Sequence, residues 1–279
     1  MIRITPIQTG RARMKTAQAR GRDGRSALAR KLDIFRDDTW IVDLPILAWL
    51  VEHPEGRFLV DSGDTAANST PGYLPWWNPF FTREVSIRVA PLEEIGPRLQ
   101  ALGLDPARDI AAVILTHLHH DHTGGLDHLP HNRILVPRDC WTFYAGLRGR
   151  FLGCLPQRWP IWLSPELIDM DGPPLGPFPS SHAITRDGRI ALVPTPGHAH
   201  GHVSVVVRGD GVTWFLAGDA TYAEADLRAE TVDGVTYDPA TSLATLRTIK
   251  RFASAGDVVV LPSHDPEAVG RLERRQLFR

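Results

Sequence analysis

Four histidines and an aspartate fall within six residues of the sequence, in Thr116-His117-Leu118-His119-His120-Asp121-His122-Thr123-Gly124-Gly125. Six of the chain's 12 histidines lie between His117 and His131. The cluster follows the apolar run Ala112–Leu115, so these side chains are delivered at the end of a buried strand. In an extended stretch residues i and i+2 point the same way, so His117 and His119 can grip one metal ion as a pincer. Asp121 and His122, beyond a bend, can face a second, and Gly124 and Gly125 let the backbone turn tightly beneath it. Imidazole nitrogen and carboxylate oxygen together suit zinc or another borderline divalent ion. A core strand would not carry such a run without a heavy desolvation cost.

Four other polar residues close apolar runs. Asp61 follows Phe58–Val60, and His198 ends Thr195-Pro196-Gly197-His198 after Ile190–Val193. Asp219 follows Val212–Leu216, and His264 follows Val258–Leu261. Singly, each reads as a cap or turn residue; together they supply donors for two metals.

The elements that must position these residues are legible as alternating strands and helices. Met1–Gln8 alternates apolar and polar residues as a first strand. Ile41–Val51 and Arg57–Val60 read as paired strands around a turn. Leu92–Leu102 has helical periodicity that Pro97 weakens. Arg133–Val136 is a short strand followed by a helix from Asp139. In the second half, Ile190–Val193, Val203–Val207, Val212–Leu216 and Val258–Leu261 are strands. Arg208–Gly211 forms a tight hairpin, and Pro239–Ala255 is an amphipathic helix. Strands then helices, twice over and without a Gly/Ser-rich linker, suggest a single α/β domain of two mixed sheets flanked by helices, spanning residues 1–279.

Composition excludes several classes. The 279 residues are 43% hydrophobic and 23% charged, which excludes a disordered or fibrous chain. No apolar run is long enough to span a bilayer, so no membrane is expected as a partner. A net charge of −1 gives no global attraction for a polyanion. Residues 11–31 carry eight basic side chains against one acid, and we expect a solvated loop or short helix there rather than a nucleic-acid arm. A polar linker leads through residues 67–81 into the aromatic Tyr73–Phe81, expected to be irregular and near the site. Two cysteines, Cys140 and Cys154, cannot build a disulfide framework. A reduced, cytoplasmic setting follows.

The array His117-x-His119-x-Asp121-His122, with His198, Asp219 and His264 in order, resembles the metallo-β-lactamase superfamily of hydrolases. The resemblance runs from Asp61 to His264 and implies an αβ/βα sandwich with two metal ions, most simply zinc. His117, His119 and His198 would bind one ion, Asp121, His122 and His264 the other, and Asp219 would bridge. Asp61 would orient a ligand histidine. Among the extra histidines near the site, His202 could support a ligand from behind, while His200 reads as a bystander and His120 matches no motif.

Tyr222, three residues after Asp219, matches the N-acyl-homoserine-lactone lactonase (quorum-quenching) branch. There the phenol hydrogen-bonds the substrate carbonyl. The implied reaction is opening of a lactone ring by a hydroxide shared between the metals, with Asp121 passing the proton to the leaving oxygen. Trp76, Trp77, Phe80 and Phe81 are candidates to cover an acyl chain, or to pack in the core or against a second copy in a homodimer. The alternatives are another lactone, an aryl ester, a thioester or a phosphotriester as substrate. A nucleic-acid phosphodiesterase, an iron-dependent redox enzyme and a non-catalytic metal binder are more distant readings.

Overall fold

The computed structural model describes residues 2–279 and contains two compact units. The first comprises residues 2–13 and 42–168, the second residues 14–41 and 169–279.

The first unit is built on a seven-stranded sheet. Its strands are β1 (Arg3–Lys15), β2 (Trp40–His53), β3 (Gly56–Val60), β4 (Val85–Arg88), β5 (Ala112–Ile114), β6 (Arg133–Pro137) and β7 (Glu166–Ile168), in the order β4-β1-β2-β3-β5-β6-β7. β2 and β3 form an antiparallel hairpin, whereas β3, β5, β6 and β7 run parallel. The parallel strands are short and dominated by Val, Ile and Leu. Leu59, Val60, Val113 and Ile114 are fully buried, as expected of strands covered on both faces.

Pro97 explains where the next helix begins. Continuing the periodicity back to Leu92 would set Pro97 one and a half turns inside, where its ring clashes with a preceding carbonyl. The helix instead spans Ile95–Ala101, so Pro97 lies in its first turn and no hydrogen bond is lost. Leu92 falls in a short 3-10 turn and is exposed.

The second unit carries five strands: β8 (His182–Ala183), β9 (Ile190–Pro194), β10 (Val203–Arg208), β11 (Thr213–Gly218) and β12 (Val258–Pro262), in the order β12-β11-β10-β9-β8. β9, β10 and β11 pair antiparallel, and Arg208–Gly211 turns between β10 and β11 with Gly211 at φ +77°. β11 and β12 are parallel, so a crossover must join them. It contains the helix Pro239–Ser254, which Asp238 caps by accepting from the Ala240 and Thr241 amides. Leu246 and Ile249 of that helix pack with Phe178, Val206 and Phe215 in one core.

Of the loop or short helix expected for the basic segment, the structure has short helices. Residues 11–15 complete β1, two helices follow at Thr16–Ala19 and Ala27–Arg36, and Ser26 caps the second. Arg30 is buried, Arg20 pairs with Asp226 and Arg25 with Asp33. β1 is longer than expected from Met1–Gln8: Ala12 and Met14 continue the buried face while Arg11 and Arg13 point outward, an alternation that the density of basic residues obscures in the sequence. The aromatic segment is irregular until a π-helical turn at Phe80–Glu84. No helix among the described residues is long and apolar enough to cross a membrane.

Candidate metal centre

Each unit gathers its own set of metal-type donors. In the first, β3 ends at Val60 and the chain turns sharply at Asp61, which has a left-handed φ of +62°. Its amide still donates to the Ile114 carbonyl at 2.8 Å. The turn aims its buried carboxylate along the β5 loop. There it accepts from the Thr116 amide (2.8 Å) and the Thr116 hydroxyl (2.9 Å), and it lies 2.8 Å from His122 Nδ1. A carboxylate at Nδ1 holds that proton in place and leaves Nε2 as the lone-pair nitrogen.

Thr116 also meets His117 Nδ1 at 3.1 Å, and His117 Nε2 lies 2.9 Å from His119 Nδ1. One proton can bridge those two nitrogens, or both lone pairs can address one cation. His117 and His122 have ring nitrogens within 4.8 Å of each other, and Asp121 Oδ1 lies 3.9 Å from His122 Nε2. His119 caps a single helical turn, His120–Thr123, that swings Asp121 and His122 away from the extended pair.

Gly124 and Gly125 have a different role from the one expected. Both have ordinary negative φ, −65° and −85°, so no special turn requires them. A Cβ on Gly125 would stand 2.2 Å from the Ser62 carbonyl oxygen, and one on Gly124 2.7 Å from Asp64 Oδ1. Glycine is needed for close approach. The His122 turn presses against the Asp61 loop, and Ser62 donates to the His122 carbonyl through both its amide and its hydroxyl, each at 2.9 Å.

His120 points elsewhere. It is buried against Phe81, with Nδ1 3.1 Å from Asp64 Oδ2. Burial alone would lower its pKa, but the Asp64 charge and hydrogen bond, aided by Asp121, raise it. Of the aromatic candidates, Phe81 is thus in the interior, whereas Trp76 and Trp77 are exposed. Trp77 packs on the exposed Phe151 at 5.1 Å. The loop after Phe151 reaches the donor set, since Gly153 accepts from the His120 amide at 3.0 Å.

In the second unit, His198, Asp219 and His264 follow β9, β11 and β12, all buried. Asp219 Oδ2 stands 3.3 Å from His264 Nε2 and 3.6 Å from His198 Nε2. Two donors bound at about 2.0–2.1 Å to a tetrahedral ion stand about 3.3–3.4 Å apart. Each Asp219–histidine separation is therefore close to the edge of a coordination polyhedron, and the donor chemistry fits divalent cations.

Two residues orient them. The Asp219 amide donates to His202 Nε2 at 3.2 Å, which requires that nitrogen to be an acceptor and places the ring proton on Nδ1. That proton passes to Thr195 Oγ1 (2.9 Å), Thr195 to Ser204 (2.9 Å), and Ser204 to the Ala217 carbonyl (3.0 Å). His202 is thereby committed to holding Asp219 from behind. His198 Nδ1 lies 3.2 Å from Asp233 Oδ2, again leaving Nε2 as the lone-pair nitrogen. His200 is exposed beside Tyr237. The buried Tyr222 ring stands edge-on to both His198 (5.7 Å between centroids) and His264 (5.4 Å).

Asp233, Asp64, Thr116 and Thr195 were not singled out from the sequence. Asp64 had a faint signal, as a second carboxylate three residues after Asp61. Asp233 had none, because a lone Asp-Gly in a loop reads as a turn.

The sequence profile of the metallo-beta-lactamase superfamily matches residues 41–264. The N-acyl homoserine lactonase AttM of Agrobacterium fabrum is 26% identical over 250 residues, covering 85% of this chain and 88% of that protein. A solved structure of N-acyl homoserine lactone hydrolase with the product N-hexanoyl-L-homoserine at its catalytic metal centre superposes with a TM-score of 0.74. It shares 19% identity and covers 96% of this chain and 94% of its own. AidC, a dizinc quorum-quenching lactonase, gives a TM-score of 0.67 at 17% identity, over 95% and 88% of the two chains. Such likenesses establish the fold expected from the sequence, with its two mixed sheets and flanking helices. With the profile matching most of its length, the chain belongs to the metallo-beta-lactamase superfamily.

Proposed function

We propose that this protein is a metal-dependent hydrolase that opens the lactone ring of N-acyl homoserine lactones. The observation that carries the choice of substrate is Tyr222, seated edge-on to both His198 and His264. A phenol so held lies beside two ligand-type nitrogens without replacing either. The similarity to a lactonase over most of both chains supports the same reading.

In this reading the donors serve two divalent ions, most simply zinc. As membership of the superfamily implies, His117, His119 and His198 would hold one, Asp121, His122 and His264 the other, and Asp219 would be shared. When bound, such ions polarise a carbonyl and lower the pKa of water toward neutrality. Asp61 and Asp233 keep the Nδ1 protons on His122 and His198, so that Nε2 stays available. Tyr222 donates to the carbonyl oxygen as negative charge grows there. Asp121, half-buried beside His122, takes up the proton and delivers it to the ring oxygen as that oxygen leaves. Trp77 and Phe151 flank the acyl chain. A cytoplasmic setting is supported by two free, buried thiols, Cys140 and Cys154, and the basic segment's ion pairs weigh against a nucleic-acid partner.

The test is a panel of acyl homoserine lactones, other lactones, aryl esters and phosphotriesters on metal-loaded protein, with metal content measured on the same sample. The highest kcat/KM should fall on an acyl homoserine lactone with close to two ions per chain. Turnover of phosphotriesters or aryl esters with no activity on any lactone would reject the substrate assignment.

A further inference from the structure

The second unit holds a buried arginine that the reaction does not use. Arg30, 3% exposed, belongs to the helix Ala27–Arg36. Its Nη1 donates to the Val232 carbonyl (2.9 Å) and the Asp233 carbonyl (3.4 Å), and its Nε to the Arg25 carbonyl (3.3 Å). Burying a guanidinium is costly unless its donors are satisfied, and here Nη1 is spent on the backbone of the Val232–Asp233 loop and Nε on that of Arg25.

That loop is held by the same segment at two further points. The Gly21 amide donates to the Val232 carbonyl (2.9 Å) and the Gly234 amide to the Gln18 carbonyl (2.7 Å). The fit is close, since a Cβ on Gly234 would stand 1.9 Å from the Ala17 carbonyl oxygen. On its other side the loop grips His198. Asp233 Oδ2 meets His198 Nδ1, while Asp233 Oδ1 is held by the Val235 amide at 3.0 Å. The Tyr237 amide donates to the His198 carbonyl (2.9 Å), and the Asp238 amide (3.0 Å) and Thr236 hydroxyl (2.8 Å) donate to the Gly197 carbonyl.

We infer that Arg30 is a positioning residue for the metal centre: it fixes the Val232–Asp233 backbone, so that the Asp233 carboxylate sets the orientation and Nδ1 proton of His198. The inference rests on the proposed role of His198 as a ligand. It gives the segment 14–36 a part in metal retention that its charge alone would not suggest. Outer partners of ligand histidines typically govern metal affinity by about 10- to 100-fold. Arg30 reaches His198 only through Asp233, so the two residues should not act additively.

The experiment uses full-length zinc-loaded protein titrated with a chromophoric chelator, beside thermal melting. Arg30→Met keeps length and removes the donors; Asp233→Asn keeps shape and removes the charge. Each should weaken the retention of one zinc ion by about 10- to 100-fold, and the double variant should be no weaker than Asp233→Asn alone. Long-range nitrogen spectra of the histidine rings should show the His198 Nδ1–H resonance in wild type and its loss or broadening in both variants. If Arg30→Met does not fold, Arg30→Lys supplies the comparison, since one ammonium cannot reproduce the guanidinium's contacts and retention should still fall. A variant that melts earlier but holds both ions as wild type does, or a double variant whose losses add, overturns the inference. His198→Ala separates the two levels. If it loses one ion while the Arg30 variants keep both, only the positioning role fails. If it keeps both ions, the ligand role fails and the positioning role with it.

Discussion

Replacing Asp61 with asparagine isolates what its charge does for His122. Asn tolerates the left-handed φ of +62° nearly as well as Asp, so the backbone turn after β3 should survive. The Thr116 amide can still donate to the remaining carbonyl oxygen, which keeps one of the contacts at 2.8 Å. The loss is at His122. An amide NH2 facing Nδ1 opposes two donors, and the relief is for His122 to move its proton to Nε2, the nitrogen proposed to bind metal. Two routes give the size of the effect. A hydrogen bond to a charged group contributes about 1.5–3 kcal/mol. An outer partner of a metal ligand is worth about 10- to 100-fold in affinity, or about 1.4–2.7 kcal/mol. The ranges overlap because they describe one hydrogen bond in two states. We therefore expect Asp61→Asn to weaken metal retention by about 10- to 100-fold. The metal-free protein should melt lower by roughly 3–12 °C, at about 2–4 °C per kcal/mol for a chain of this size. Chelator competition and melting of the metal-free protein measure the two separately. An unaltered metal affinity beside a lowered melting temperature would show that Asp61 only braces the β5 loop, and would refute its action through His122.

Tyr222→Phe should reduce kcat on an acyl homoserine lactone by about 10²–10³ with metal content unchanged, the cost of losing one donor to developing charge; an unchanged kcat removes the phenol from the mechanism. His202→Ala leaves the buried Asp219 amide without its acceptor and should destabilise the protein by about 1–3 kcal/mol, measured by denaturant titration. Glu94 tests acid sensitivity. Burial would raise its pKa, but the Ala66 amide (2.6 Å), His128 Nε2 (2.5 Å) and the Thr65 hydroxyl (2.9 Å) outweigh burial and lower it. With the folded value below the unfolded one, its contribution is present above about pH 4.3 and disappears as pH falls through the folded value. Glu94→Gln should thus melt lower than wild type at pH 6, with the difference shrinking toward pH 3, and a constant difference would contradict the assignment.

The donor inventory was legible in the sequence because each donor closes a short apolar run, and strand ends are set locally. A stretch such as Val258–Leu261 is buried whatever surrounds it, and the polar residue after it must face the rim. Most strands of both sheets and the helix Pro239–Ser254 were readable for the same reason, since periodicity and capping are local properties, whereas the short edge strands β4, β7 and β8 carry too few residues to show a pattern. The work done by Gly124 and Gly125 was not local. Their type suggested a turn, yet their φ values are ordinary, and only the approach of the Ser62 carbonyl and the Asp64 carboxylate explains them. The basic segment holds the short helices expected of it, with an exception to its solvated face. Its charge pattern suggested a solvated face, but Arg30 is buried, because the carbonyls that accept from its Nη1 lie some two hundred residues further along the chain. Asp233 and Thr195 could not be found beforehand for a related reason. An outer partner is chosen by where one nitrogen or amide happens to point, and that direction exists only once strands distant in sequence are laid side by side. The donor types are thus written in single short stretches, while the protonation pattern that leaves their lone pairs available is decided by tertiary packing.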